Sequence, residues 1–353
     1  GGKTFARLGE PSKHSDNHAL AFNLQDPDYL LAGSDGGLYE TWDHGKTWRF
    51  FANLPATQFY KIALDNDLPF YNVIGGTQDN ATQLGPSRTL NIHGIRNQDW
   101  IITLGGDGHG CQLDPEDPNT VYSESQQGEL HRIDKQTGQR LDIVPQPGPD
   151  DPPERFNWDA PILISPHSHT RLYFGSQRVW RSDDRGDSWT PISGDLTRNQ
   201  NRYELELMGR VWSVDALYDH GAMSIYNSTT SISESPLVEG LIYVGTDDGL
   251  IQITEDGGNS WRKVDSLPDV PDVFYVNEVK ASATDADVVF AAVDNHKAGD
   301  YSPYLLKSED RGKTWVSVTG DLPERHLVRS VVQDHVNRDL LFAGTEYRIF
   351  FTV

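Results

Sequence analysis

Histidine and aspartate recur at short spacing in two stretches, HSDNH (His14 to His18) and GDGH (Gly106 to His109). His14, Asp16, His18 and His109 alternate imidazole nitrogen with carboxylate oxygen, the borderline donors that zinc and other divalent ions accept, so a divalent metal is one use for them. No organic cofactor is expected. Asp35, Asp79, Asp107 and Asp159 are candidate catalytic carboxylates, since a pair about 5 to 5.5 Å or about 6.5 to 9.5 Å apart can cleave a glycosidic bond. Each of these aspartates has a plainer use, capping its own turn.

What must position these groups is a repeat. Four stretches fit [S/T]-x-D-x-G-x-[S/T]-W: TWDHGKTW, SDDRGDSW, TEDGGNSW and SEDRGKTW, with Asp43, Asp184, Asp256 and Asp310 at the invariant acid. In such a hairpin turn the carboxylate accepts backbone N–H bonds, glycine takes positive φ, and tryptophan fills the gap beside it. Upstream of each lies an alternating strand, an Asp-Pro-type turn and an apolar strand. That unit occurs seven times, its second strands ending at Ser34, Thr77, Ser125, Ser176, Thr246, Val293 and Thr345. The steps run from 43 to 52 residues, with one of 70. This is the size of a four-stranded propeller blade.

The pattern predicts an all-β, seven-bladed β-propeller of four-stranded antiparallel blades with Asp-box hairpins, one domain over residues 1–353. The long step holds an insertion at Asn199 to Asp219, the one stretch read as a short helix. Gly1-Gly2-Lys3-Thr4-Phe5 resembles the tail of a box and the final Thr352-Val353 its head. The expectation is a ring closed by N- and C-terminal strands sharing the last blade, with Phe5 to Leu8 as its outer strand. Two truncated repeats that never meet are the alternative.

In such a blade the Asp-box turns lie on one face, and the starts of first strands and the turns after second strands lie on the other. Aligning the copies puts His18, Lys61, His109, Ala160 beside Asp159, Gly221 beside His220, Asn277 and Arg329 at the starts of first strands. Asp35, Gln78, Asp79, Asn80, Gln126, Gln127, Asp247, Asp248, Asp294 and Asn295 fall in the turns after second strands. Together with His14, Asp16 and Trp158 they form a candidate ligand-binding funnel. Phe59, Tyr60, Trp100, Phe156, Trp158, Phe274 and Tyr275 flank the same positions, either as stacking surfaces or as wedges between blades.

The formal charge of −22, with 30 Lys and Arg dispersed among 52 Asp and Glu, excludes the clustered cations that nucleic-acid binding requires. The single cysteine, Cys111, allows no internal disulfide. No apolar run of about 18 residues is present, so no membrane insertion is expected.

GSDGGLYETWDHGKTW (Gly33 to Trp48), GGTQDNATQLGPSRT (Gly75 to Thr89), DWIITLGGDGHG (Asp99 to Gly110), RFNWDAPILISP (Arg155 to Pro166) and GTEYRIFFTV (Gly344 to Val353) resemble the Asp-box, or BNR-repeat, propellers. The likeness is greatest to secreted bacterial sortilin-like and BNR-repeat glycosyl hydrolase proteins. The resemblance implies a secreted, periplasmic or cell-surface setting and a second propeller in a longer chain. Function in that family is heterogeneous, so fold transfers more readily than activity. The two readings are a ring that recognises a polysaccharide, peptide or partner subunit, and a glycoside hydrolase using two of the four aspartates.

Overall fold

The computed structural model describes residues 3–4, 13–54, 57–207, 209–213, 215 and 225–352. It contains seven successive antiparallel sheets, occupying residues 17–50, 61–104, 111–142, 162–191, 229–264, 275–317 and 328–351, here called blades one to seven. Each is a meander whose strands pair in chain order, because short turns allow each strand to pair only with its neighbour. Among the described residues, blades one to six have four strands and blade seven has three, ending on Ile349–Phe351. The outer strand predicted at Phe5 to Leu8 lies outside the described residues. Among the described residues the helical segments are all short 3-10 turns, and none is long and apolar enough to cross a membrane.

The core is distributed between blades. Five apolar clusters occupy the five successive interfaces from blade two to blade seven, so blades three to six bury both faces against neighbours. Ile74 and Leu84 meet Cys111 and Val121; Tyr122 and Leu130 meet Phe156 and Phe174; Val288 and Phe290 meet Val328 and Val331. Phe156 and Phe274 therefore belong to the core. Blade one buries Leu30, Ala32 and Tyr39, but its first strand, Asn17–Phe22, is exposed throughout. It reaches blade two through Asn80 Nδ2, which donates to the Asp35 carbonyl (3.0 Å), and through His14 beside Asp79.

The four boxes share three bonds to the aspartate, one from the hydroxyl two residues before it and two from the residue four after it, and the first and last boxes add the backbone N–H three after it. In the last, Asp310 Oδ1 accepts from Lys313 N (2.9 Å), Thr314 N (2.8 Å) and Ser308 Oγ (2.8 Å), while Oδ2 accepts from Thr314 Oγ1 (2.6 Å). In two of the boxes the tryptophan ties the turn to the preceding blade: Trp189 Nε1 donates to the Ile143 carbonyl and Trp261 Nε1 to that of Ile192, whereas Trp48 and Trp315 have no such partner among the described residues. Donors concentrated on one carboxylate favour its charged form, and bonds from Ser260 hold Asp256 down to about 2 from its ordinary 3.8. A depressed folded value contributes stability above 3.8 that disappears as pH falls through about 2. Asp256→Asn is thus expected to flatten the acid limb of a Tm-against-pH curve. A curve parallel to that of the wild type would show that the charge does not stabilise the turn.

The segment at 199–219 differs from its reading as a helix. The described part forms a 3-10 turn at Arg202–Glu204 and a two-stranded hairpin, Glu206–Leu207 with Arg210–Val211. Gly209, at φ 79°, sits between those strands and favours reversal of the chain over another helical turn.

Candidate functional site

The starts of the first strands owe their geometry to a repeated bulge. Pairing with the second strand slips between Asn17 and Ala19, Thr229 and Ser231, Val276 and Glu278, and Val328 and Ser330. The unpaired residues are His18, Thr230, Asn277 and Arg329, and a bulge re-aims the side chain it carries. In blade five the bulged residue is Thr230, which corrects the alignment to Gly221. The strand starts at Thr229, several residues beyond the position that sequence spacing indicated across the insertion. His220 lies outside the described residues.

Three of these bulged residues join neighbouring blades. Thr230 Oγ1 donates to the Val276 carbonyl (2.6 Å), and Asn277 Nδ2 donates to the Val328 carbonyl and to Asp294 Oδ2 (both 2.8 Å). Arg329 Nη1 donates to the same Asp294 oxygen, and His296 Nδ1 lies 2.5 Å from Asp294 Oδ1. Asn277 and Arg329 are thus engaged with a buried aspartate, an arrangement that satisfies a charge within the ring.

The other candidates gather across blades one to four. His14 Nδ1 accepts from Asp16 N (3.3 Å), and His14 Nε2 stands 3.7 Å from Asp79 Oδ1. Asp79 N donates to Asp107 Oδ1 (3.0 Å), and Asp107 N donates to Gln126 Oε1 (2.9 Å), which chains the turns of blades two and three. His18 Nε2 faces Asp35 Oδ1 at 2.6 Å, and Lys61 Nζ lies 3.8 Å from Asp159 Oδ2. Burial raises the Asp79 carboxyl above the usual range; the neighbouring Asp107 charge adds to this, and His14 works against it.

His109 lies at the base of this group, fully buried, and neither ring nitrogen has a hydrogen-bond partner. Burial lowers its pKa, which favours the neutral ring. Glycine brings the backbones together here: a Cβ on Gly76 would stand 2.3 Å from the His109 carbonyl oxygen. The Tyr60 ring lies over His109 at 4.7 Å between centroids, and Trp158 meets it edge-on at 6.2 Å. Tyr60 is 47% exposed, and its hydroxyl donates to Gln78 Oε1. Burial and then Asp159, Asp107 and Asp79 raise the Tyr60 hydroxyl, so this ring sits among three of the four catalytic candidates. Tyr275 has a related place, its hydroxyl pushed far up by burial and by Asp159, Asp247 and Asp294.

Of the four metal candidates, His14 and Asp16 share a location, where Asp79 completes a trio with ligand atoms within 4.8 Å of one another. His18 is occupied with Asp35, and His109 is enclosed by aromatic rings. One nitrogen and two oxygens suit a divalent ion, and the fourth donor would be water.

Glu124 was missed by sequence reading. Fully buried, it accepts from Ala160 N through Oε1 (2.9 Å) and from Gly110 N through Oε2 (3.2 Å), joining blades three and four beneath the mouth. Burial raises its pKa well above the carboxylate range, with Asp159 adding to the shift. A glutamate inside the apolar strand TVYSES was the available signal.

Residues 305–318, which contain the box of Asp310, match the family model for the BNR-Asp box repeat. The other three boxes share its bonds from the residues two before and four after the aspartate. The chain is a BNR-repeat β-propeller.

Solved structures agree with this propeller in fold. A GH74 xyloglucanase from Xanthomonas campestris is 15% identical, with 94% of this chain and 51% of that one covered at a TM-score of 0.56. An ancestral GH74 enzyme is 11% identical, with 97% and 45% covered and a TM-score of 0.54. The extracellular domain of a B. thetaiotaomicron protein described as a hybrid two component system is 14% identical, with 97% and 38% covered at 0.53. The propeller thus spans about half the length of these chains or less. No curated protein sequence matches it.

Proposed function

We propose that this propeller is a carbohydrate-binding module that takes a saccharide at the mouth between blades one and four. The observation that carries this reading is Tyr60: a half-exposed ring backed by His109, its hydroxyl held by Gln78, with Asp79, Asp107 and Asp159 around it. A sugar ring stacks its C–H face on such a surface while carboxylates accept its hydroxyls. Lys61, Asn80 and Trp158 border the same place, and His14, Asp16 and His18 line its blade-one side. The xyloglucanase neighbour acts on a glycan, which fits a saccharide better than a peptide. A secreted or surface setting and a second propeller in a longer chain belong to the same proposal.

Calorimetry against a panel of neutral oligosaccharides tests it. Tyr60→Ala is expected to weaken binding at least about tenfold, or about 1.4 kcal/mol, whereas Tyr60→Phe keeps most of the affinity. Wild-type protein that binds no saccharide, or Tyr60→Ala that binds as well as the wild type, would refute the proposal.

A second reading, glycoside hydrolysis, is favoured by one observation. Asp79 is raised beside Asp107, as expected of a proton donor next to an ionised base. Turnover of a glycan by the wild type and its loss in both Asp79→Asn and Asp107→Asn would establish it. Binding without turnover would leave the module.

A further inference from the structure

The mouth around Tyr60 is rich in acceptors whose donors are out of reach. Asp79 and Asp159 are largely withdrawn from water, with 17% and 23% of their side chains exposed. The basic groups that face them stand beyond hydrogen-bond distance: His14 Nε2 is 3.7 Å from Asp79 Oδ1, and Lys61 Nζ is 3.8 Å from Asp159 Oδ2. Asp107 Oδ1 accepts from Asp79 N, a bond that leaves the charge of both carboxylates uncompensated. Carboxylates withdrawn in this way cost free energy until a donor reaches them. A second observation lies beneath them. His109 is fully buried, and both of its ring nitrogens lack a partner among the described residues. Tyr60 and Trp158 pack on this ring, and the charges of Asp159 and Asp107 act on it. A neutral imidazole carries one acceptor nitrogen, and a buried polar ring without a partner marks a place where one is missing.

A sugar hydroxyl both donates and accepts, so each one brought here adds a further acceptor. An ammonium group only donates, through three N–H bonds, and its charge is opposite to that of the site. The balance of charge argues the same way. Asp16, Asp35, Asp79, Asp107 and Asp159 share Lys61, His14 and His18 as their basic partners, on a chain of net charge −22. The half-exposed ring of Tyr60 supplies a face on which a sugar stacks, which assigns the ammonium to a saccharide rather than to a peptide side chain. On the saccharide reading above, we infer that the ligand taken at this mouth is an amino sugar, its ring lying on Tyr60 and its protonated amine held among Asp79, Asp107 and Asp159.

Calorimetry of the whole chain at about pH 6, where ordinary aspartates are ionised and an amine is protonated, compares a glucosamine tetramer with the N-acetylglucosamine tetramer. The two share a backbone and its apolar face and differ in the ammonium. The glucosamine tetramer is expected to bind at least about tenfold tighter, and added salt should narrow the gap, since the extra attraction is between charges. Asp79→Asn and Asp159→Asn should each reduce this preference at least about threefold. The preference is a ratio of affinities measured on one protein, so a smaller folded fraction does not change it. Equal affinities for the two tetramers, or a preference that survives both substitutions, overturns the inference and leaves the saccharide site standing. Trilysine bound as tightly as the glucosamine tetramer would assign the mouth to cationic peptides and overturn it as well. Binding of neither tetramer also overturns it, and the neutral panel decides the saccharide reading separately.

Discussion

Glu124→Leu is expected to lower the unfolding free energy by about 3 kcal/mol, because two buried backbone N–H groups lose their acceptor at about 1–3 kcal/mol each. Those groups, on Gly110 and Ala160, belong to different blades, so the loss falls on the contact between blades three and four. Glu124→Gln keeps one acceptor oxygen and should cost about half as much. Urea titration followed by tryptophan fluorescence measures both. A Leu variant within about 0.5 kcal/mol of wild type would mean that neither bond carries stability. The same substitution should disturb the site above, since Ala160 directly follows Asp159 and only that residue separates it from Trp158.

The second large effect depends on pH. Asp247 is buried and accepts from Ser228 N (2.9 Å) and Ser228 Oγ (2.8 Å), with Asn157 Nδ2 of blade four at 3.4 Å. Burial is the main cause of a carboxyl pushed up to about 7 from an ordinary 3.8, and its neighbour Asp248 adds to it. The folded state therefore prefers the protonated form. Its contribution is fully present below 3.8 and is lost as pH rises through about 7, opposite to that of the Asp-box carboxylates. The propeller should lose stability between about pH 5 and pH 8, and Asp247→Asn, neutral throughout, should remove about 2 kcal/mol of that dependence. Chemical denaturation at the two pH values compares the variants. Equal slopes for both proteins would place the titration elsewhere.

The two kinds of carboxylate show how far the sequence could be read. Asp43, Asp184, Asp256 and Asp310 each bond within five residues of themselves, so their turns were visible as a spaced pattern. Asp247 and Glu124 act on residues 19 to 90 and 14 to 36 positions away, and no local pattern marks them. The site divides in the same way. That His14, Asp79 and Asp107 would fall on one face followed from repeat alignment, because the starts of first strands and the turns after second strands share that face. That Asn277 and Arg329 would be engaged with Asp294, or that Tyr60 would cover an unpartnered His109, depends on which rotamer each blade offers the next.

By itself the sequence determined the number of repeats, their antiparallel strand order and the face on which each turn lies. Those features arise from alternation, glycine and aspartate within a few residues, interactions complete inside one hairpin. Tertiary structure decided where the bulges fall, that Thr230 rather than Gly221 follows the second-strand alignment, that the 199–219 insertion carries a hairpin, and which acids are desolvated. These follow from the fit of one sheet against another, where a shift of one residue exchanges a buried face for a solvated one.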